Sequence, residues 1–569
     1  MPRPLPRVAL WAAVVVVGAS ACVAPEGPAI ALHTLASPLT GPCPEGTGQG
    51  EFGDEIAGLA ATVTGPDIES PIQAEGVGSV RLEGVPAGPA RVIALYGMGG
   101  TAPTWRGVSA PTEIKSGEET PVDILLAKIA QFSCARSSAG DARLFHTATL
   151  LDDGTVLIVG GAKELRDASA GGTCPGCRAA DATDDVVVYD PKTGAFTPVG
   201  SLAAARMFHT AVKLDDGRVV IAGGTRSIAT HVPSLDARFP FPIVPTAPLA
   251  SVELYDPQAR SFTSIGDDPN GARVFASATR LLSGEAIITG GIPAAGTPHN
   301  LGNALATSTI CRDRCQNGPP LAAPRAGHHS FGLGDDGVIL WGGSVGAGNG
   351  FKFEQLALGA ATFEHIDVCD MNTARNVFFA SGASYAQGEF LSAGGLAREA
   401  DGSFHAVVDA DAEGSAVFLY DINITGLDGC RTGISAGPRE NRLNLTGNRF
   451  LGAAAPLPGG QRVLIAGGFE IPDDFNDVDF TPVSTVDMFV KTETQEGSQV
   501  IVTLAMDNRA LSTAGVIPTL RDARGGLTAT GLGDGTVVLV GGAAADGPLA
   551  TAEVFADPKT PPQAAELSR

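Results

Sequence analysis

One pattern recurs seven times along this chain and restricts its fold more than any other feature. It runs arginine, short apolar stretch, glycine turn, second apolar run, double glycine. The clearest copies read RLFHTATLLDDGTVLIVGG, RMFHTAVKLDDGRVVIAGG and RGGLTATGLGDGTVVLVGG. The arginines are Arg143, Arg206, Arg273, Arg325, Arg375, Arg449 and Arg524. The glycine pairs begin at Gly160, Gly223, Gly290, Gly342, Gly394, Gly467 and Gly541. The offset from arginine to glycine is 17 in five copies, 19 in the fifth and 18 in the sixth. Repetition at this period implies equivalent units, each burying its apolar face against the next.

Each copy has strand chemistry. HTATLL and TVLIV are short β-branched runs joined by Asp-Asp-Gly, a hairpin signal. A third run follows, as in VVVYDP (186–191), SVELYDP (251–257) and AEVFADP (552–558). A fourth carries an aromatic residue, as in GAFTPV (194–199) and RSFTSI (260–265). Four antiparallel strands per repeat make the blade of a β-propeller. The seventh copy stops after its third strand. The segment IAQFSCA (129–135) has fourth-strand register, because Phe132 precedes Arg143 by 11 residues, as Phe262 precedes Arg273. This segment is expected to complete the last blade and close the ring, leaving no unpaired edge.

These repeats resemble the kelch motif over residues 129–560, and the propeller resembles the central domain of galactose oxidase. The implied fold is all-β: a seven-bladed kelch-type β-propeller preceded by a small β-sandwich. The galactose oxidase resemblance raises a copper-radical site, which needs two tyrosines, one cross-linked to a cysteine, and two histidines. Of five tyrosines, Tyr189, Tyr255 and Tyr420 sit in the Tyr-Asp repeat position and Tyr96 lies upstream, leaving Tyr385. The expectation is therefore no cofactor and no enzymatic activity.

Upstream, residues 50–127 alternate apolar and polar residues between Gly-Pro turns, which predicts strands. Their GVPAGPARVIAL resembles the carboxypeptidase regulatory-like β-sandwiches. Residues 22–49 are rich in Pro and Gly and read as a tether, and 561–569 as a C-terminal tail. Residues 1–21 read as a signal peptide: Arg3 and Arg7 precede an apolar run too short to span a bilayer. Ala19-Ser20-Ala21-Cys22 resembles the lipobox of bacterial lipoproteins, with Ala19 where that family usually has Leu. The resemblance implies a lipid on Cys22 and residence in the bacterial cell envelope as an outer-membrane lipoprotein.

Export makes the other eight cysteines disulfide candidates. Cys174 is expected to pair with Cys177, Cys311 with Cys315, Cys369 with Cys430 and Cys43 with Cys134. Both local pairs read as loop insertions after a double glycine, where four thiolates also suit zinc. A net charge of −23 argues against nucleic acid, whose phosphates need cationic partners.

Three further groups of residues carry candidate chemistry. His146, His209 and His328 each follow a repeat arginine by three residues, which suits a recurring packing role. The seven arginines suit hydrogen bonds to loop carbonyls, with a cationic ring for an anion as the alternative. Asp473, Asp474, Asp477 and Asp479, and the DADAEG run (409–414), are weak calcium candidates, since neither has EF-hand spacing. Insertions after the double glycines, at 162–184, 225–249, 292–320, 396–414 and 469–483, fall on the arginine face of the ring. The Pro-rich 239–249 is expected to add apolar contact surface there. Long loops on a rigid scaffold commonly carry binding. The expected function is a membrane-tethered scaffold lipoprotein recognising a protein or glycan. The alternatives are an enzyme with a divergent site on that face and a structural component of an envelope assembly.

Overall fold

The computed structural model describes residues 13–15, 29–36, 43, 56–77, 80, 82–100, 102–167, 178–230, 243–293, 303–333, 337–345, 353–366, 368–369, 376–386, 389–398, 404–406, 417–421, 431–432, 445–471, 481–496, 499–511 and 517–558. Seven small antiparallel sheets follow one another and form a propeller. Blade 1 runs Thr147–Leu150, Val156–Val159, Asp185–Asp190 and Ala195–Ser201, from inner to outer strand. Blades 2, 3, 4 and 6 repeat this order, and blade 5 has three described strands. The second strands VLIV, VVIA and VILW are buried at every residue. They read as continuous apolar runs because neighbouring blades cover both faces.

Blade 7 is closed from the N-terminal side. Its strands Thr528–Gly531, Thr536–Val540 and Ala552–Ala556 are completed by Phe132–Cys134. Phe132 pairs with Phe555, their rings 5.0 Å apart. The same ladder position holds Tyr189 and Phe196 in blade 1 and Tyr255 and Phe262 in blade 2.

The double glycines join the blades. The second glycine of each pair donates its amide to a carbonyl at the start of the next blade. Gly161 bonds Arg206, Gly224 bonds Arg273, and so on to Gly542 and Arg143 at 2.9 Å, which shuts the ring. The first glycine has φ of +60° to +77°, and a Cβ there would collide with that same carbonyl. Both constraints admit only glycine.

Blade 5 breaks the expected pattern. Gly343 donates to the carbonyl of Val377, and it is Val377 that precedes Gly394 by the standard interval. The blade therefore has valine where its sisters have arginine. Arg375 is out of register with the motif, and it lies outside the described residues.

The N-terminal sheet is built on Gly58–Thr64, Gly88–Gly99, Ala102–Val108 and Glu119–Lys128, around a core that includes Val63, Ile93, Trp105 and Ile124. Arg91, wholly buried, pairs with Asp67 and bonds the carbonyls of Pro86 and Ala87, pinning the GVPAGPAR turn. Residues 29–36, expected as tether, instead form a strand parallel to Glu119–Lys128 and bury Ile30 and Leu32 in this core. Ala13–Val15 pairs with that strand's other edge. Cys22 and the C-terminal tail lie outside the described residues. Among the described residues no helix is long and apolar enough to cross a membrane.

Candidate functional site

The arginine face was the expected site, and it is built in three tiers. The lowest tier is the arginines themselves. Arg143, Arg206, Arg273, Arg325, Arg449 and Arg524 are buried. Arg206, Arg273 and Arg524 each donate to the first glycine carbonyl of their own blade, at 2.8–3.0 Å. Five of the six also meet a carboxylate. Arg206 pairs with Glu253, Arg325 with Glu354 and Arg524 with Glu553, each at 2.7 Å, and Arg449 pairs with Asp487. Arg273 takes Asp268 from its own linking loop.

The third-strand carboxylates are a device that the repeat comparison missed. They do a second job, accepting backbone amides of the link that precedes the arginine. Glu354 accepts from Ala322 and Ala323, Glu553 from Arg521 and Asp522, and Glu253 from Ala203. Burial pushes the Glu553 carboxyl up and Arg524 pulls it back. The signal in the sequence was one acidic letter inside each apolar run: SVELYD, FEQL, VDMF, AEVFA. Blade 1 has Val187 at that position, and Arg143 turns to the carbonyl of Ala139 at 3.0 Å. Nearby, Lys163 bridges Asp141 and Asp185, at 2.5 and 2.7 Å. These guanidinium groups are committed to carbonyls and carboxylates within the protein, so they do not form a cationic mouth for an anion.

The second tier seals the axis. The residue two after each motif start has positive φ: Phe145, Phe208, Phe275, Gly327, Phe379, Leu451 and Gly526, at +50° to +67°. Backbone hydrogen bonds link them around the axis, as in Phe208 to Phe145, Phe379 to Gly327, Leu451 to Phe379 and Phe145 to Gly526, at 2.9–3.0 Å. Phe145 stacks on Phe208 at 4.0 Å, Phe208 meets Phe275 edge-on at 4.7 Å, and Phe275 meets Phe379 at 5.1 Å. Leu144, Met207, Val274, Ala326, Phe378, Phe450 and Ala543, one from each blade, join the same apolar cluster. Non-glycine residues rarely adopt this conformation, and here packing and the hydrogen-bonded ring hold it at five positions.

Insertions form the third tier. Arg166–Asp167 and Arg178–Asp181 from blade 1 join Ser227–Thr230 and Ile243–Pro245 from blade 2 in one extra four-stranded sheet. Its inner side lays Ala180, Ile228 and Ile243 on the axial cluster. Its outer side carries Arg166, opposite Ala179, and Asp181, which pair with each other, and Arg166 also meets exposed Glu164 at 2.9 Å. The Pro-rich segment therefore departs from expectation where it is described. Ile243 and Val244 are buried in the cap and Leu249 in the link beyond it, and none offers contact surface.

The histidines belong to the blade seams. His146 meets Thr528, His209 meets Thr147 and His328 meets Thr289, each through Nε2 at 2.8 Å on the preceding blade. Burial, reinforced by the repeat arginine nearby, pushes His146 down to about 3 and holds His209 and His328 well below the usual histidine range.

Cysteine placement corrects one expectation. Cys311 and Cys315 are joined, but not in an insertion on this face. They are directly opposed residues of strands three and four of blade 3, at the ladder position of Tyr255 and Phe262. A cystine thus replaces the aromatic pair, and residues 308–317 of the expected insertion are blade. Cys43 is joined to Cys134. Two cystines accord with folding outside the reducing cytoplasm. Cys174, Cys177 and Cys430, the acidic residues Asp473, Asp474, Asp477 and Asp479, and the 409–414 run lie outside the described residues. Among the described residues no cluster of three or more His, Cys, Asp or Glu is arranged to hold a metal.

Neither a family model nor a curated protein matches this chain. Solved structures do. A fungal alcohol oxidase of the AA5 family, in complex with copper, is similar at 14% identity and a TM-score of 0.44, over 73% of this chain and 74% of that one. YjhT is similar at 12% identity and a TM-score of 0.39, over 64% of this chain and 99% of that one. The expectation that this chain is not an enzyme is withdrawn, because an oxidase stands among the structures similar to it. Tyr189 and Tyr255 lie in third strands against Phe196 and Phe262, Tyr385 of blade 5 packs on Phe489 of blade 6, and Tyr96 is in the N-terminal sheet.

Proposed function

We propose that the protein is an extracytoplasmic binding lipoprotein, anchored through Cys22, that recognises a protein or glycan on the insertion face of its propeller. The observation that carries this reading is the four-stranded sheet made from the insertions of blades 1 and 2. It is separate from the seven blade sheets, capped beneath by apolar packing and faced outward with charge. A rigid platform of this kind holds polar groups in fixed positions, which lowers the ordering cost of binding. The sealed axis directs a partner to the outer surface of the cap rather than into the ring.

The test compares the wild-type chain with R166A/D181A, two exposed changes on the face opposite Ala180 that leave the cap's apolar side intact. Envelope extract and a glycan array are probed with both. Wild type should retain a partner that the variant loses, while the two unfold at the same temperature. Equal retention by both would exclude the platform. Chemical conversion of the retained molecule would assign catalysis to the same face.

A further inference from the structure

The seam between blades 7 and 1 is where the two ends of the propeller meet, and the N-terminal sheet is fastened across it. Blade 7 gains its outer strand from three residues, Phe132–Cys134. That strand continues directly from Glu119–Lys128 of the N-terminal sheet. Between them, Ile129 donates to the carbonyl of Thr104 in that sheet, and Ala130 donates to Ala556 in blade 7, both at 2.9 Å. Ala127 of the sheet shares one apolar cluster with Val156 and Ile158 of blade 1 and Val538 and Val554 of blade 7. On the turn side, buried Arg106 reaches from the sheet to the Asp534 carbonyl of blade 7, at 2.8 Å. The closing strand is then tied once more, by the bond from Cys134 back to Cys43.

From these contacts we propose that the N-terminal sandwich is the clasp of the propeller ring and that Cys43–Cys134 is its redox-sensitive lock. The sandwich holds the short closing strand in register against Ala552–Ala556. The disulfide limits how far that strand can move if its few ladder bonds break. A dithiol reductant cleaves the lock by exchange: the sulfur–sulfur bond takes two electrons and two protons to give two thiols, and the reductant leaves as its own disulfide. Cys134 is wholly buried and Cys43 nearly so. Attack therefore waits on local opening of the seam, whereas the half-exposed Cys315 is open to attack in the closed ring.

The experiment is hydrogen exchange with peptide-level mass spectrometry on the full chain. Three states are compared: oxidised, reduced with dithiothreitol and alkylated, and C43S/C134S. Amides of 129–135 and Ala552–Ala556 should exchange at least about tenfold faster in C43S/C134S than in the oxidised protein, as expected of a locally opened unit. Blade 2 strand Val219–Ala222 should keep its rate. The reduced protein should match C43S/C134S, and C311S/C315S should leave the seam unchanged. R106Q should also quicken exchange at the seam with the disulfide intact. Unchanged seam exchange in C43S/C134S would overturn the lock, and unchanged exchange in R106Q would overturn the clasp. An equal rise in every blade would also overturn the proposal, since it would make the bond a general brace. Should C43S/C134S fail to fold, reduction of the folded wild type decides between the same outcomes.

Discussion

Replacing Glu354 by leucine should be among the most damaging single changes in the propeller. The Glu354 carboxylate is fully buried, pairs with Arg325 and accepts the amides of Ala322 and Ala323. Removing one partner of a buried ion pair costs about 3–5 kcal/mol. The Ala323 amide is buried and loses its acceptor, which adds about 1–3 kcal/mol, while exposed Ala322 can turn to water. The expected loss is about 4–8 kcal/mol for E354L, and about half of that for E354Q, which keeps an acceptor oxygen. E354L/R325L should be less harmful than E354L alone, because no uncompensated charge stays buried. Urea unfolding followed through Trp341 measures this. Trp341 is in the same blade, against Phe353, and its emission is assigned by difference from W341F. A loss under about 1 kcal/mol for E354L, or a double variant costing the sum of the singles, would refute the neutralising role given to this carboxylate.

Three more outcomes are expected. F132A should cost about 3–5 kcal/mol, the usual loss for a buried phenylalanine, and a chain beginning at Ala142 should melt well below one beginning at Pro121; equal melting would remove Phe132–Cys134 from ring closure. Stability should fall as pH drops below about 6.5, because His146, His209 and His328 are held neutral when folded but take protons when unfolded. Each contributes a slope of about 1.4 kcal/mol per pH unit, so a urea midpoint constant from pH 7.5 to 5 would contradict their burial. C22S should move the protein from the membrane fraction to the soluble fraction; a wild type already soluble and free of acyl mass would end the lipid-anchor reading.

Much of the propeller was legible because each junction relies on a backbone constraint that only glycine meets. Phe132 was placed correctly for a similar reason, since its ladder position is filled by an aromatic in blades 1 and 2. Arg375 was misplaced because the nearest arginine was taken as the motif, whereas the junction uses a backbone carbonyl that Val377 supplies equally well. The Glu253, Glu354, Asp487 and Glu553 carboxylates were passed over because a single acid in an apolar strand looks like tolerated noise until its arginine is seen. Cys311 and Cys315 looked like loop cysteines because blade 3 lacks the Tyr-Asp and aromatic letters that mark outer strands. Residues 29–36 looked like tether because their partner strand begins 83 residues after them, at Glu119 rather than Gly58 or any nearer neighbour. The assembled cap was not legible at all, since its four strands come from two blades.

The hydrogen-bonded residues at the axis also bear on how such a chain can change. Copying or deleting a blade is the simplest mutation open to a tandem array. Here each blade contributes one residue to a hoop whose span is set by backbone bonds from Phe275 round through Gly526 to Phe208 and by the Phe208–Phe275 ring contact. An eighth member would have to be let into that hoop, and a lost one would leave two ends too far apart to meet. The hoop counts the blades: a longer loop leaves its span untouched, whereas a changed number of repeats does not.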